Sequence, residues 1–302
     1  MIRSLTVINY FGESLRLDLA EPEKSGFIVK NIDGLGPAKA NINTSEVCTS
    51  DGSQYNSARK ENRNVVITLD FQLFPVVEDA RQLTYRYFPV KKELTLVIKT
   101  DNRISCCTGY VESNEPEIFS NNEITQISII CPDPNLYSVD KIQSTKFSGL
   151  EPAFEFPFEN DSLTEPTIEF GYEEDKEPHA IIYEGDSEVG ITINIHFLGY
   201  AKNITLYNIH TREYMKIDTE KITTYTGSAI TKGDDIIIQT SRGKKKAILL
   251  RNGKIYNILN CIDHGSSWFE LTKGANVFAF TVEEGNKNVQ FNIENYIVYE
   301  GV

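Results

Sequence analysis

The stretch Ile104–Tyr137 reads ISCCTGYVESNEPEIFSNNEITQISIICPDPNLY and sets the architecture of the first half of the chain. It begins as a strand, crosses an acidic connection over Glu112–Asn122, and returns as a strand over Ile124–Cys131, where Ile127, Ile129 and Cys131 fall at alternate positions. Pro132 has no N–H to give to a central ladder, so the sheet is predicted to end there. The stretch therefore predicts the closing hairpin of one domain and the entrance to a second.

The residues before this stretch show the two-residue period of antiparallel strands. Leu5–Leu19 predicts a hairpin with its turn at Gly12, and Val65–Leu73 predicts a strand with one apolar face. Glu93–Lys99 is predicted to pair with the start of the opening stretch. The polar run Asn43–Asn64 has few apolar anchors and is predicted to be a long loop or arm, a type of segment that is usually functional or disordered until bound.

One helix is predicted in this half. Val76, Ala80, Leu83 and Tyr87 fall at positions i, i+4, i+7 and i+11 and form one apolar stripe. Pro89 ends the pattern, because the residue before a proline disfavours the helical conformation. Residues 1–137 are therefore predicted to form an antiparallel β-sandwich with one helix laid across it.

The second half predicts a different domain that is β throughout. Residues 138–158 contain glycine and proline and are predicted to be a linker. Within residues 159–302, Val189–Phe197 has one apolar face, and Asn252-Gly253 is the strongest hairpin signal in the chain. Short strands separated by glycine turns predict a second β-sandwich.

Composition limits the classes of function. The chain has 302 residues and a formal net charge of −13, which disfavours nonspecific binding to DNA or anionic membranes, because phosphate groups are bound by clustered cations. No run of about 18 successive apolar residues is present to span a bilayer. The N-terminal residues contain no uninterrupted apolar core of a signal peptide. The chain is therefore expected to be made and assembled in a cytoplasm, without membrane insertion.

No catalytic, cofactor-binding or metal-binding constellation stands out, so the chain is predicted not to be an enzyme and to hold no cofactor or metal. The five cysteines are an odd number and form no CxxC pair, which disfavours a disulfide framework or a zinc site. Cys106 and Cys107 are adjacent on a strand and should face opposite ways. The cysteines are predicted to be reduced and mostly buried. The four histidines are scattered and lie in no metal-binding motif.

Two further features leave alternatives open. Trp268, the only tryptophan, is flanked by Phe269 and Leu271 and is either an apolar anchor or a platform on which a sugar ring stacks. Lys244–Lys246 follows a turn glycine and either contacts phosphate or acidic partners or protects a hairpin edge from aggregation.

Several blocks of sequence carry a family resemblance. The first half contains Gly109–Ser113, Glu115–Phe119 and Gln126–Pro134. The second half contains two groups of motif residues, which are Gly233, Asp234, Ile236, Ile238, Thr240, Arg242, Gly243 and Lys245, and then Trp268, Phe269, Leu271, Gly274, Asn276 and Phe278. With these residues the chain resembles the distal tail proteins of siphophage-type tails, also called siphovirus tail components, over most of its length.

The resemblance implies a structural role in a phage or phage-like tail. It implies that the N-terminal sandwich forms a homohexameric ring between the tail-tube protein and the tail-tip or baseplate hub protein, with genomic DNA passing through the centre without specific binding. It implies a C-terminal sandwich of galectin-like fold outside the ring, and a location at the tail tip of the virion after assembly in the host cytoplasm. The arm Asn43–Asn64 is then a candidate for contacts with the channel or a neighbour. The acidic connection supplies the candidate ring contacts, which are Glu112, Glu115, Glu117 and Phe119.

The alternative function is a host-surface carbohydrate-binding adhesin of the tail tip, with Trp268 as the candidate sugar contact. Galectins carry a His-x-Asn-x-Arg run and a later Trp-x-x-Glu-x-Arg run. Neither His196-Phe197-Leu198 nor the run that begins at Trp268 matches these patterns. A galectin-like fold therefore does not by itself predict sugar binding.

Overall fold

The computed structural model describes residues 1–46, 51–71, 76–119, 123–146, 149–152, 171–174 and 179–302. It is mainly β, as the sequence predicts. The chain forms two compact units. The first comprises Met1–Lys141 together with the C-terminal residues Val298–Val302, and the second comprises Ile142–Ile297.

The strands, in chain order, are β1 (Ile2–Ile8), β2 (Ser14–Asp18), β3 (Ile28–Asp33), β4 (Ala40–Glu46), β5 (Ser53–Lys60), β6 (Arg63–Asp70), β7 (Glu93–Thr100), β8 (Ile104–Pro116), β9 (Ile124–Cys131), β10 (Leu136–Lys146), β11 (Gly149–Pro152), β12 (Gly171–Glu174), β13 (His179–Tyr183), β14 (Val189–Gly190), β15 (Thr192–Phe197), β16 (Lys202–Asn208), β17 (Glu213–Ile217), β18 (Asp235–Gln239), β19 (Lys246–Arg251), β20 (Lys254–Asn257), β21 (Glu270–Leu271), β22 (Gly274–Glu284) and β23 (Val289–Tyr299). The α-helices are α1 (Val77–Tyr87) and α2 (Thr219–Thr226). Short 3-10 helices lie at Pro22–Lys24, Leu259–Cys261 and Asn286–Asn288.

The first unit is built around β8. Seven of its strands pair antiparallel in the order β2-β1-β7-β8-β9-β6-β3, and β10 pairs with the first part of β8. β8 has 13 residues and changes partners along its length, because Ile104–Tyr110 pairs with β7 and Tyr110–Pro116 pairs with β9. A strand that passes from one sheet to the next in this way makes the corner of a sandwich.

The corner forms next to Gly109, inside the opening stretch. A Cβ atom on Gly109 would lie 2.7 Å from both Cys131 Sγ and Ile129 Cγ2, so a glycine is needed for β9 to approach this closely. Just beyond it, a register shift between Val111 and Ser113 marks a β-bulge, which bends the strand. The sequence of β8 therefore supplies a close approach and a bend where the partner strand changes.

Helix α1 lies against the second part of β8. Ala80 is fully buried, and Leu83 and Tyr87 pack at the edge of the core, as the predicted stripe requires. Val76, the first residue of that stripe, lies at the N-cap and is half exposed. Thr84 is buried too, and its Oγ1 accepts a hydrogen bond from Asn114 Nδ2 at 3.3 Å. The helix therefore docks through apolar contacts and through a polar link to β8.

Two segments of the first unit differ from the sequence prediction. The polar run predicted as a long loop or arm contains two paired strands, the hairpin of β4 and β5, in which Ala40 pairs with Lys60 and Glu46 with Ser53. Residues 47–50 lie outside the described residues. The two strands pair with each other and bury no side chain in the core. Their sequences therefore lack the alternation of apolar and polar residues that reveals the other strands. The connection predicted from Glu112 begins later, because β8 continues to Pro116 in register with β9.

Two antiparallel sheets dominate the described part of the second unit, beside the two-stranded sheets β11-β12 and β14-β21. One has the strand order β23-β15-β18-β19-β20 and the other has the order β13-β22-β16-β17. Ile193, Ile195 and Phe197 of β15 are buried on one face, as their alternation predicts. Phe280 of β22 and Phe291 of β23 bring their ring centroids to 4.0 Å and so join the two sheets. This is the sandwich that the glycine turns predict.

Helix α2 corrects the prediction that the second half is β throughout. Its sequence, TEKITTYT, is rich in threonine and has a weak intrinsic preference for helix. The helix is fixed by its ends instead. Asp218 accepts hydrogen bonds from the amides of Glu220 and Lys221 at 3.0 Å each, and Gly227 ends the helix at a φ of 80°.

The predicted turn between β19 and β20 is confirmed, with Asn252 and Gly253 both at positive φ. The boundaries that the sequence predicts after residues 137 and 158 stay predictions. β10 occupies the beginning of the predicted linker, and residues 153–158 lie outside the described ranges.

Candidate functional site

The candidate ring contacts begin on the second part of β8. Glu112 sits at the β-bulge, and its Oε2 accepts a hydrogen bond from Ser128 Oγ at 2.8 Å. Glu115 lies opposite Gln126 of β9 and is exposed. Both carboxylates therefore project from a paired strand and not from a loop.

Glu117 and Phe119 follow the end of β8. The amide of Glu117 donates a hydrogen bond to Ile124 O at 2.9 Å, which holds the start of the connection to β9. Ile118 is half exposed, and Phe119 is completely exposed. Burying one large apolar side chain stabilises an interface by about 1.5–3 kcal/mol, so this pair favours contact with another molecule. Residues 120–122, which complete the predicted connection, lie outside the described residues.

The hairpin of β4 and β5 is a second candidate contact. It forms a two-stranded sheet of its own, and every residue in both strands is exposed, including Ile42 and Tyr55. A two-stranded hairpin is at best marginally stable alone in water. Its outer edges present main-chain groups that can pair with another chain. The sequence indicates the arm, and the structure adds the edges.

Arg63, at the start of β6, connects three loops of the first unit. The residue is 2% exposed, and its guanidinium donates hydrogen bonds to the main-chain oxygens of Gly34 and Gly36 at 2.6 Å each, Pro134 at 2.7 Å and Glu300 at 2.8 Å. Burial lowers the pKa of Arg63. Sequence reasoning misses this residue because main-chain acceptors leave no side-chain signature.

Cys107 and Cys131 meet in the core of the first unit, with their Sγ atoms 3.9 Å apart. Contact with the Cys131 thiol, together with burial, raises the pKa of Cys107. Cys106 is only partly buried, in line with the prediction that it faces away from Cys107. Both buried thiols act as small core residues, as predicted, although their proximity was not foreseen. Cys48 lies outside the described residues.

In the second unit, the motif residue Asp234 forms a buried ion pair with Arg251. Arg251 Nε lies 2.9 Å from Asp234 Oδ1, and Nη2 lies 2.6 Å from Oδ2. Arg251 also donates to the main-chain oxygens of Ser228 and Ala229 at 3.2 and 3.0 Å. The hydrogen bonds that Arg251 donates to the Asp234 carboxylate raise the pKa of Arg251. The pair therefore ties the loop that follows α2 to β19.

Other motif residues of this unit also bind the backbone. Thr240 Oγ1 donates to Phe269 O at 2.6 Å, and Asn276 Nδ2 donates to Thr272 O at 2.7 Å. Gly274 has a φ of 105°, which a side chain would strain. These motif residues hold turns and strand ends in place. The family resemblance of the second half is therefore carried by residues that maintain the fold.

Trp268 is half buried in the segment before β21, and Phe269 is the fully buried anchor. The Nζ atom of Lys245 lies 5.2 Å from the centroid of the Trp268 ring, a cation–π contact. One lysine of the basic run is therefore occupied by a neighbour within the chain. A role for Trp268 in sugar binding stays a prediction.

In the part of the chain that the structure describes, no cluster of three or more His, Cys, Asp or Glu side chains is arranged to hold a metal ion. His196, on the opposite face of β15 from its apolar neighbours, pairs through Nδ1 with Asp235 Oδ1 at 2.6 Å. None of the described helices is long and apolar enough to cross a membrane.

Comparison with protein families links the second half of the sequence to a known family. Residues 184–295 match the family model for the siphovirus-type tail component, C-terminal domain. This match confirms the resemblance to phage distal tail proteins that the sequence motifs predict. No curated protein has a sequence that matches the chain significantly.

The fold is similar to those of two solved phage proteins. The Dit (gp 19.1) protein of phage SPP1, described as a paradigm of the hub adsorption apparatus in phages that infect Gram-positive bacteria, is 10% identical with a TM-score of 0.64. The match covers 97% of this chain and 99% of that chain. A chain of the phage P2 baseplate, in its activated conformation with Ca, is 11% identical with a TM-score of 0.50 and 98% of each chain covered. At these identities the likeness shows the fold.

Proposed function

We propose that this chain is a structural component of a phage or phage-like tail tip or baseplate, where it forms a homohexameric ring that joins the tail tube to the hub. The main support is the family match over residues 184–295, to which the similarity in fold to SPP1 Dit along nearly the whole chain adds. In this proposal the function is geometric and not catalytic.

The proposal assigns the ring to residues 1–137, treats 138–158 as the linker, and places the galectin-like sandwich of residues 159–302 outside the ring. Six copies in closed cyclic symmetry present one face to the tail-tube protein and the other face to the hub protein. Genomic DNA passes through the centre without specific binding, which is consistent with a net charge of −13. The ring is assembled in the bacterial host and is carried at the tail tip of the virion.

The ring needs two different surfaces on each copy, because a head-to-tail ring pairs one surface with another on the next subunit. The hairpin of β4 and β5 offers exposed strand edges, and Ile118 with Phe119 offers an exposed apolar patch. Glu112, Glu115 and Glu117 precede this patch in the chain and give the segment a negative charge. We assign the hairpin and the patch to the contacts between neighbouring copies.

Immunogold electron microscopy tests the location. Particles that carry this chain are labelled with an antibody against it. The expected result is gold confined to one end of the tail, between tube and hub. Gold along the tube or on the head would contradict the proposed location. So would the absence of gold both from intact particles and from particles whose tail tip has been opened to the antibody.

A further inference from the structure

A groove beside α2 belongs to none of the features assigned above. It has a volume of about 340 Å³, which lies within the usual range for small-ligand sites of roughly 300–1,000 Å³. Its lining includes Tyr200, Thr219, Glu220, Thr223, Thr224 and Ile230. Aromatic, hydroxyl, carboxylate and aliphatic groups therefore meet in one depression of the second unit.

Two threonine hydroxyls in the groove are left as hydrogen-bond acceptors. Thr223 Oγ1 donates its proton to Thr219 O at 2.9 Å, and Thr224 Oγ1 donates to Glu220 O at 3.0 Å. Each hydroxyl oxygen keeps lone pairs that accept from a ligand. The carboxylate of Glu220 is exposed and adds two more acceptor oxygens. A ligand that fits these groups is rich in O–H donors.

Charge selects against an ionic ligand. Glu220 is paired with Lys202 at 3.1 Å, so the carboxylate is already balanced by a cation. The first amides of α2 are bonded by Asp218, so the helix N-terminus is not open to an anion. The groove is therefore suited to a neutral ligand.

Apolar groups complete the fit. Tyr200 is about half exposed, while Ile230 and Ala201 are each only 1% exposed and form an apolar floor. An exposed aromatic ring stacks on the C–H face of a sugar, whose edge carries hydroxyl donors. We propose that this groove binds a short neutral saccharide, with Tyr200 as the stacking platform and Thr223, Thr224 and Glu220 as acceptors. The site does not involve Trp268, and it does not depend on ring formation.

Saturation-transfer difference NMR of the whole chain tests the proposal, with glucose, galactose and N-acetylglucosamine as separate probes at millimolar concentration. At least one sugar should give a saturable signal with the native sequence. Tyr200→Ala should weaken that affinity about fivefold or more, because it removes the stacking surface. Thr224→Val, which keeps the shape and removes an acceptor, should weaken it about threefold.

Tyr225→Ala is the matched control, since Tyr225 is an exposed tyrosine of α2 that is not part of the groove lining. Its affinity should equal that of the native sequence, and thermal melting should show that every variant is folded. Absence of signal from all three sugars with the native sequence would overturn the proposal. Equal affinities for native, Tyr200→Ala and Tyr225→Ala proteins would overturn it as well. Neither result would bear on the ring.

Discussion

Gly34 has a φ of 83°, and a Cβ atom there would lie 1.8 Å from Asn64 O. Both the backbone conformation and the main-chain neighbour require glycine, so Gly34→Ala should lower the free energy of unfolding by about 3 kcal/mol. Gly36 is the matched control, because nothing lies within 4 Å of a Cβ built on it. Gly36→Ala should change stability by less than about 0.5 kcal/mol. Urea unfolding of both variants measures the difference, and equal stabilities would show that the Gly34 geometry is wrong.

Arg63 predicts a second large effect in the same region. Arg63→Ala removes the hydrogen bonds that the buried guanidinium donates to the main-chain oxygens of Gly34, Gly36 and Pro134, and a hydrogen bond to a charged group contributes about 1.5–3 kcal/mol. The expected loss of stability is therefore at least about 3 kcal/mol. Arg63→Lys should recover only part of it, since one ammonium cannot reproduce the planar guanidinium.

Arg59→Ala is the control for Arg63, since Arg59 lies in the exposed strand β5. Its effect on the free energy of unfolding should stay within about 0.5 kcal/mol. If Arg63→Ala and Arg59→Ala have the same free energy of unfolding, the hydrogen bonds of Arg63 to the main-chain oxygens contribute nothing to stability, and the role given to Arg63 is wrong.

Glu13 predicts a measurable acid shift. Hydrogen bonds from Arg86 and Asn9 lower the pKa of Glu13 from 4.5 to about 2. A lowered carboxyl pKa means that its contribution to stability is present above pH 4.5 and is lost as the pH falls through about 2. NMR titration of the Glu13 side chain should give the low value, and Arg86→Met should move it back toward 4.5. A pKa near 4.5 in the native sequence would exclude a persistent pair.

Strand β8 shows what the sequence reveals of an element and what it does not. Alternation of apolar residues predicts the strand and its pairing with β7, and Pro132 predicts where β9 ends. The continuation to Pro116 is not visible in the pattern, because the residues beyond Val111 are polar on both faces. Helix α2 is missed for a related reason: it buries only Thr219 and Ile222, and a search for apolar stripes does not weigh the caps at Asp218 and Gly227 that help to hold it.

The candidate contacts divide in the same way. Family resemblance and the polarity of the segment indicate Phe119 and the three glutamates as contacts, and the exposure of Phe119 fits an interface. Arg63 and Arg251 could not be selected, since their importance comes from partners that only the folded chain brings together. The polar sequence predicts a long loop or arm here, whereas the exposed strand edges depend on the pairing between β4 and β5.

The ion pair of Asp234 and Arg251 joins two elements of the second unit, and it has an exposed counterpart. Arg251→Ala leaves a buried carboxylate without its cation and should destabilise the chain by about 3–5 kcal/mol. Arg242→Ala breaks a similar two-bond pair with Glu270, but that arginine side chain is 80% exposed. Its loss should cost no more than about 1 kcal/mol. Thermal and urea unfolding of both variants decide, and similar losses would contradict the role given to burial.

At the scale of the whole molecule, composition and strand patterns are sufficient to predict two β-rich halves. They do not predict that Val298–Val302 belongs to the first unit, where Val302 N donates to Leu35 O at 3.1 Å. A contact between residues so far apart in sequence leaves no local pattern. The periodicity of the sequence does not predict the oligomeric state either. The proposed ring rests on exposed features such as the hairpin of β4 and β5 and Phe119.

Native mass spectrometry of the purified chain, over a range of micromolar concentrations, tests the proposed ring most directly. The expected main species contains six chains of 34.2 kDa each. Replacing residues 41–59 by an Asn-Gly turn, or changing Phe119 to Ser, should shift it to monomer, whereas Phe11→Ser, at an exposed turn outside the proposed contacts, should leave it intact. A native chain that stays monomeric at every concentration, and in the presence of the tail-tube protein, would contradict the ring.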